Sequence, residues 1–319
     1  MGRIAVIVPV SPFEPAEIVE KSAVRIKSLD YANHEVRILY VVDIKNNDSR
    51  PKILRSIGVE VLERKDSRGK RAGAINDAVR YFEEFNPDYV AIFDVDSIPE
   101  KDFVLRCIEG LERNPDSYIA STPRYISNPV NFCSETISAE YMFINFLLSK
   151  SAFKQFNGLI GVLKWEVLSK YRLDEDFLTE DAEFATRMHS IGYKAVLVRN
   201  SKILEQAPLS WKELYFQRRR WYFGGIQLWK HFNIVRRANF GFKLSWMLSL
   251  TLPYIVILFL PLLVLSPPLI LYKFRKISKL KLVAGIFIHI FILQFSAIMA
   301  IYDFLRRKES AWHPQKRVI

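Results

Sequence analysis

The sequence predicts an α/β protein: a mostly parallel, doubly wound sheet, followed by an amphipathic region and apolar C-terminal helices long enough to cross a membrane. Three observations predict it. Short apolar runs alternate with helical patterns through the first two hundred residues. Several of those runs end at Pro or Asp. The last third holds two long stretches with no charged residue. Strands alternating with helices are the signature of βαβ units and a parallel sheet.

The elements follow in order. Arg3–Val8 is an apolar run stopped by Pro9 and reads as a buried strand. Val36–Val42, ending at Asp43, is a second; Val59–Leu62 is a third; Tyr89–Phe93, ending at Asp94, is a fourth; Tyr118–Ala120 is a fifth. Helical patterns fill 15–28, 70–85 and 101–113. In such a sheet ligands bind beyond the carboxyl ends of the strands, where Asp43 and Asp94 stand. The first 30 residues hold early acids (Glu14, Glu17, Glu20) and no apolar run of signal-peptide length, so this part is expected in the cytosol. Cys107 and Cys133 are too few for a disulfide framework.

Charge divides the chain. The 319 residues carry a formal +12, yet residues 1–202 hold 28 basic and 30 acidic residues while 203–319 hold 18 and 4. The basic third contains Leu244–Tyr272 and Leu282–Tyr302, charge-free over 29 and 21 residues. As helices they would reach about 43 Å and 31 Å, against a hydrocarbon core of about 30 Å. Pro253, Pro261, Pro267 and Pro268 are expected to bend or break the first. Arg236, Arg237 and Lys243 precede it, Lys273, Arg275, Lys276, Lys279 and Lys281 separate the two stretches, and Arg306, Arg307 and Lys308 follow. These flanks suit anionic headgroups, and the expectation is two spans with cytosolic ends. A nucleic-acid partner is not expected, because the charge tracks the apolar stretches. The expected division is a domain at 1–210, an amphipathic region at 211–243, spans at 244–302 and a basic tail at 303–319.

Four motifs carry chemistry. Asp94-Val95-Asp96 follows a buried strand, and in extended backbone residues i and i+2 point the same way. Two converging carboxylates repel unless a cation joins them, and a hard ion such as Mg²⁺ or Mn²⁺ is the natural partner. A solvated turn is the competing reading. Arg68-Gly69-Lys70-Arg71-Ala72-Gly73-Ala74-Ile75-Asn76 opens a helix, where glycine permits close backbone approach and the N-terminus favours anions. Thr179-Glu180-Asp181 precedes the helical stretch Ala182–Ser190: Thr179 fits an N-cap, the acids suit the helix dipole, and Asp181 could serve as a general base. In Gln217-Arg218-Arg219-Arg220-Trp221, Gln217 and Trp221 share a helix face; an arginine fork grips phosphate and a Trp face stacks on a sugar ring.

Taken in order, these motifs resemble glycosyltransferase family 2, in the membrane-bound branch that includes cellulose, chitin and hyaluronan synthases. Arg64, Phe156-Asn157-Gly158 and the motif order over residues 1 to about 235 belong to the resemblance. It implies a GT-A, Rossmann-like fold and an inverting, metal-dependent hexosyltransferase using a nucleotide-sugar donor. Pro9, Asp43, Lys70, Asp94 and Arg220 would bind the donor. Asp96 with Asp94 would hold Mg²⁺ or Mn²⁺. Asp181 would be the catalytic base. Gln217, Trp221 and Glu180 would face the acceptor, a lipid-linked glycan, glycolipid or growing polysaccharide at the bilayer. Residues 211–237 would lie along the membrane surface, with Ile226, Leu228, Trp229, Phe232 and Val235 as the apolar side. Ile44 stands where the family often has a second Asp, and the usual Asn-Glu after the first strand is missing from Ser11-Pro12-Phe13-Glu14. Extruding synthases carry more spans than two, which implies either a homo-oligomer or an enzyme that does not extrude. A polyprenyl-phosphate sugar synthase and an inactive membrane adaptor are the alternative readings.

Overall fold

The computed structural model describes residues 2–307, so Lys308 and the tail beyond it lie outside the described residues. β1 (Arg3–Val10), α1 (Ala16–Lys27), β2 (Glu35–Asp43), α2 (Arg50–Ile57), β3 (Glu60–Arg64), α3 (Lys70–Tyr81) and β4 (Tyr89–Ile92) follow one another. β1 pairs in parallel with β2 and β4, and β2 with β3, so their carboxyl ends share one edge. β1 is buried on both faces because alternate residues serve two cores. Ile4, Val6 and Val8 pack with Val19, Leu54 and Phe103; Ala5 and Ile7 pack with Ile75, Val79 and Phe184.

The second half of the domain is less regular. β5 (Ile98–Pro99), α4 (Phe103–Glu112), β6 (Ser117–Ser121), β7 (Arg124–Ile126) and α5 (Phe132–Lys150) lead to β8 (Gly161–Lys164), α6 (Trp165–Tyr171), α7 (Glu180–Ser190), β9 (Lys194–Leu197) and β10 (Ile203–Glu205). The main sheet has seven strands in the order β3-β2-β1-β4-β8-β6-β9, with β8 antiparallel to both neighbours; β5, β10 and β7 make a small second sheet. The expected mostly parallel sheet is present.

α8 (Trp211–Gln227) opens the C-terminal third, with the Ser210 hydroxyl accepting from the Glu213 N–H at its N-cap. The region expected to lie on the membrane to Arg237 divides instead: α8 ends at Gln227, and a short 3₁₀ turn leads to α9 (Phe232–Val235). Leu228 and Val235 turn inward and are buried in the main core, while Trp229 and Phe232 stay partly exposed.

The first charge-free stretch also departs from expectation. Its beginning lies in α10 (Phe240–Thr251), which docks on the sheet domain: Trp246 is fully buried and its Nε1 donates to Thr186 Oγ1 at 3.0 Å. Prolines then break the chain as expected, into 3₁₀ runs at Leu252–Tyr254 and Val256–Leu265 and then α11 (Ser266–Phe274). The segment long and apolar enough to cross a membrane is therefore Val256–Phe274, not 244–272. A 3₁₀ run rises about 2.0 Å per residue, so this segment reaches roughly 33 Å. The second is Ile277–Leu305, mostly α12 (Lys281–Leu305).

α12 is not free-standing. It lies beside α8, with Tyr215 stacked on Phe295 (5.5 Å) and Phe223 edge-on to Phe304 (5.9 Å). On another side it meets α5. Lys279 and Lys281, expected to face headgroups, each lie 3.1 Å from the Glu135 carboxylate of α5.

Candidate active site

A cavity of about 2520 Å³ opens at the carboxyl edge of the sheet and continues between α5, α8 and the apolar C-terminal segments. Pro9, Asp43, Lys70, Asp94, Asp96, Glu180, Asp181, Gln217, Arg220 and Trp221 all line it. Residues from six separated patches of sequence thus meet in one place. The strand ends supply Pro9, Asp43 and the Asp94–Asp96 pair. The first turns of α3 and α7 supply Lys70 and the Glu180–Asp181 pair, and α8 supplies the rest.

The Asp94–Asp96 pair is not extended. β4 ends at Ile92, and the acids sit in a turn closed by Ser97 N–H donating to the Asp94 carbonyl (3.0 Å). The strand argument for convergence therefore fails, although both acids still face the cavity. Asp94 Oδ1 accepts from Arg71 Nε (3.0 Å) and Nη2 (2.8 Å), and Arg71 Nη1 reaches Glu180 Oε1 at 3.2 Å. The sequence alone does not distinguish Arg71 from its neighbour Lys70 as a site residue. Its position in the first turn of α3 was the available signal.

No group of three His, Cys, Asp or Glu assembles among the described residues. The donors that do line the cavity, the hard carboxylate oxygens of Asp94 and Asp96, suit Mg²⁺ or Mn²⁺ with the remaining ligands supplied by a diphosphate. The residues fit such an ion as a shared site, not as an all-protein cage.

Asp181 is held by backbone. Its Oδ2 accepts from Gly158 N–H (2.6 Å) and its Oδ1 from Ala182 N–H (2.8 Å). Gly158 has φ +63°, and a Cβ there would come 3.0 Å from Arg71 Nη2. The left-handed turn and the close approach both require glycine. Thr179 occupies the N-cap position of α7, but its hydroxyl makes no capping bond and is buried with no hydrogen-bond partner among the described residues. α8 crosses directly over it: a Cβ on Gly224 would lie 2.4 Å from Thr179 Oγ1.

Electrostatics follow from this crowding of acids. Burial, and then the neighbouring Asp181, push Glu180 up to about 7 against the pull of Arg71. Burial likewise raises Asp43, although Arg64 Nη1 lies 3.4 Å away. Burial lowers the Arg220 guanidinium, opposed by Glu180, Asp181 and Asp94. The three consecutive arginines of α8 take three directions. Arg220 lines the cavity. Arg218 pairs with Glu140 of α5 (2.6 Å) and stacks under the Trp221 ring at 4.3 Å. Arg219 makes a two-pronged bond to Asp303 of α12 (2.5 and 2.6 Å).

A family model described as glycosyl transferase family group 2 matches residues 89–302. The chain belongs to this family. Similar proteins include the probable glucomannan 4-beta-mannosyltransferase 1 of Arabidopsis thaliana, 26% identical over 246 residues, 70% of this chain and 43% of that protein. Another is the probable glucomannan 4-beta-mannosyltransferase 9 of Oryza sativa subsp. japonica, 31% identical over 185 residues, 55% of this chain and 35% of that protein. The family 2 chain described here thus spans less than half the length of these relatives. Among solved structures, the mannosyltransferase PcManGT from Pyrobaculum calidifontis, in complex with GDP-Man and Mn²⁺, shares the fold at a TM-score of 0.69 and 20% identity, covering 97% of this chain and 88% of that one. S. aureus TarS shares it at 0.52 and 12% identity, covering 78% and 42%. The expected family and the GT-A type of fold both stand.

Proposed function

We propose that this family 2 glycosyltransferase moves a hexose, and specifically mannose, from a GDP-sugar to a hydroxyl of a membrane-associated acceptor, with inversion at the anomeric carbon. One observation carries the reading: Asp181, Arg220 and the Asp94–Asp96 pair, distant in sequence, line one cavity that runs on into apolar helices. The mannosyltransferase names of the relatives, and the GDP-Man in the complex of the structural neighbour, support the donor.

The chemistry is displacement of a nucleoside diphosphate. Pro9 and Asp43 border the place of the nucleobase, at the ends of β1 and β2. Lys70 and Arg220 supply cations where negative charge grows on the leaving oxygen, an interaction stronger in the transition state than before it. Asp94 and Asp96 would hold a divalent ion, which when bound adds positive charge at the diphosphate. Asp181, fixed by two backbone N–H groups, takes the proton of the attacking hydroxyl. Attack from the side of Asp181, opposite the leaving group, gives inversion. Gln217, Trp221 and Glu180 border the acceptor side. The domain division follows as residues 1–210 for catalysis and an apolar membrane region within 256–305 that holds both candidate spans, with the two ends of that region on the cytosolic side.

The test is Asp181→Asn. GDP-mannose binding, followed by calorimetry, is expected to persist while turnover falls about 10²- to 10⁴-fold, the usual contribution of a general base. Unchanged transfer by this variant overturns the assignment. Full wild-type activity in excess chelator, with metal loss confirmed, overturns the role of Asp94 and Asp96 as ion ligands.

A further inference from the structure

α12 touches other helices of the chain at every stage of its length. Its first residue, Lys281, lies 3.1 Å from Glu135 of α5. Gly285 packs so closely on α5 that a Cβ there would overlap the Thr136 hydroxyl. His289 Nε2 lies 3.2 Å from the Glu140 carboxylate of α5. Ser296 Oγ donates to the Tyr215 carbonyl of α8 (3.3 Å), and Asp303 takes both prongs of Arg219. These positions recur at helical spacing and form one face. On the opposite face, Phe287, Phe291, Phe295 and Ile298 are between 44% and 55% exposed.

The two helices beneath α12 lie flat on the sheet domain. Cys133, Ile137 and Tyr141 of α5 and Leu214 of α8 share one cluster with Ile126 of β7. Just past α5, Phe153 is in the main core. At the end of α8, Gln227 Oε1 accepts from the Leu178 N–H (3.0 Å), and Leu228 enters the same core. Both helices are thus held at either end by a body that stays in water. α12 is about 37 Å long at 1.5 Å per residue and follows them throughout. Were it to cross a bilayer, Glu135, Glu140, Arg218 and Arg219 would be strung through the depth of the hydrocarbon, where each is costly, and the sheet domain would be drawn in behind them.

The first apolar segment, Val256–Phe274, is tied to the same layer at both ends. At its start the Tyr254 hydroxyl donates to the Tyr222 carbonyl of α8 (2.9 Å), and Gln294 of α12 bonds the Tyr254 carbonyl (2.9 Å) and the Ile257 N–H (3.2 Å). Just past its end Lys279 lies 3.1 Å from Glu135. A hairpin that crossed and returned would carry this second attachment to the far side of the bilayer, away from α5. The basic residues agree. Lys273, Arg275 and Lys276 between the segments and Arg306 and Arg307 after them are all exposed. Basic flanks keep to one side of a membrane, and two spans would separate these.

From this we infer that neither apolar segment crosses the bilayer. The pair lies in the plane of one leaflet, with its protein-bound face toward α5 and α8 and its apolar face in the acyl chains. The exposed basic residues at the rim select an anionic leaflet. The chain therefore meets the membrane from one side through residues 256–305. Segments that do not cross cannot line a pore, so they offer no passage for a product to the far side. The inference goes beyond the proposed chemistry and does not depend on it.

The experiment adds the purified full chain in dilute detergent to preformed vesicles of phosphatidylcholine and phosphatidylglycerol, followed by detergent removal and flotation. Three single substitutions are compared, Asp116→Cys on the sheet domain, Lys276→Cys between the segments and Arg306→Cys after them, all at exposed positions. Cys107 and Cys133 are buried, so wild type reports the background. A membrane-impermeant maleimide is applied before and after the vesicles are lysed. Vesicles in which Asp116→Cys labels fully before lysis have the sheet domain outside. In these, Lys276→Cys and Arg306→Cys are expected to label before lysis to within twofold of their extent after it. Lys276→Cys reacting only after lysis shows a crossing hairpin and overturns the inference. Arg306→Cys reacting only after lysis shows a net crossing and overturns it as well. Wild type is expected to bind these vesicles at least tenfold more tightly than pure phosphatidylcholine; equal binding overturns the basic rim. A chain that does not float with vesicles, because a second copy covers the apolar face, overturns the whole. Loss of sugar transfer with all three cysteines labelled from outside would overturn the transferase reading and leave this one standing.

Discussion

Two adjacent glycines in α8 should respond in opposite ways to the same small change. A Cβ on Gly224 would sit 2.4 Å from Thr179 Oγ1, 2.5 Å from its Cγ2 and 2.9 Å from its Cβ. A Cβ on Gly225 would meet only Leu250 Cδ2, at 3.7 Å, an ordinary contact. Both Gly→Ala changes gain about 1 kcal/mol of helix propensity. At Gly225 nothing opposes the gain, so Gly225→Ala is expected to raise the melting point slightly and keep full activity. At Gly224 three atoms of one β-branched residue block the methyl, and that residue directly precedes Glu180 and Asp181. Overpacking costs about 1–3 kcal/mol, so the net stability loss stays within about 2 kcal/mol. Activity suffers more, because relieving the clash moves α8 about 1 Å from the start of α7 and carries Arg220 and Trp221 away from Asp181. A displacement of that size at a reacting centre costs about 10²-fold in rate. Initial-rate kinetics on both variants, with melting curves in the same detergent, make the comparison. Thr179→Ala should rescue Gly224→Ala in part, since it removes the two nearest atoms and a hydroxyl with no hydrogen bond among the described residues but keeps the Cβ 2.9 Å away. Equal activity of Gly224→Ala and Gly225→Ala, or no rescue by Thr179→Ala, refutes the reasoning.

Other outcomes follow from the same geometry. Trp246→Ala should destabilise the sheet domain by about 3–5 kcal/mol, because the indole is fully buried against it; an unchanged melting point would return 244–251 to the membrane. Asp303→Asn breaks a bond whose Asp side chain is 3% exposed and whose Arg219 partner is 24% exposed, so the cost is discounted to about 2 kcal/mol, read as a lower melting point that Asp303→Glu partly restores. Burial lowers His189 from its ordinary 6.5 to about 4, with the Lys154 carbonyl opposing and the Lys154 charge assisting. The folded protein then binds fewer protons than the unfolded chain below pH 6.5. Stability should fall as pH drops from about 6.5 to 4, by about 3 kcal/mol in total, and melting curves of His189→Gln should lack this component.

Most of the first half of the fold was legible because its strands and the helices α1 and α3 advertise themselves locally, whereas α2, only eight residues long with Pro51 in its first turn, did not. β1 to β4 are apolar runs with sharp stops, and α1 and α3 show helical periods between them. α5 was not legible, although it is 19 residues long. Its sequence has no single apolar stripe, since it faces the cavity, α12 and its own domain at once: Tyr141 is buried, Phe143 and Phe146 are exposed, and Glu140 meets a cation and a histidine. Periodicity arguments assume one buried side. The same assumption misplaced the start of the first apolar stretch. A charge-free run tells that water is avoided, but Trp246 avoids it against protein and Leu258 does so without protein cover. At the site, the acids at strand ends could be named from sequence because topology alone puts them there. Arg71 could not, because its role depends on how α3 is aimed at the turn after β4.

The run of three arginines shows how site and apolar helices become one mechanical unit. Successive helix residues are turned by about 100°, so three neighbours of one type cannot serve one partner. Arg218 takes Glu140 on α5, Arg219 takes Asp303 on α12 and Arg220 takes the cavity. Two ion pairs on two different helices fix both the rotation and the height of α8, because sliding it would unpair charges, at several kcal/mol for the buried Arg218–Glu140 pair and about 2 kcal/mol for the partly exposed Arg219–Asp303 pair. Trp221 lies over Arg218, so its ring is positioned by the same pairs. It follows that loosening α12 should be felt at Arg220 and Trp221 before it is felt at Asp43 or Pro9, which rest on β1 and β2. In Asp303→Asn, kcat and the acceptor KM should therefore change more than binding of free GDP, which reports the strand-end half of the cavity. A variant in which GDP binding weakens as much as turnover would show that the two halves of the cavity move together, and that the arginines of α8 do not divide them.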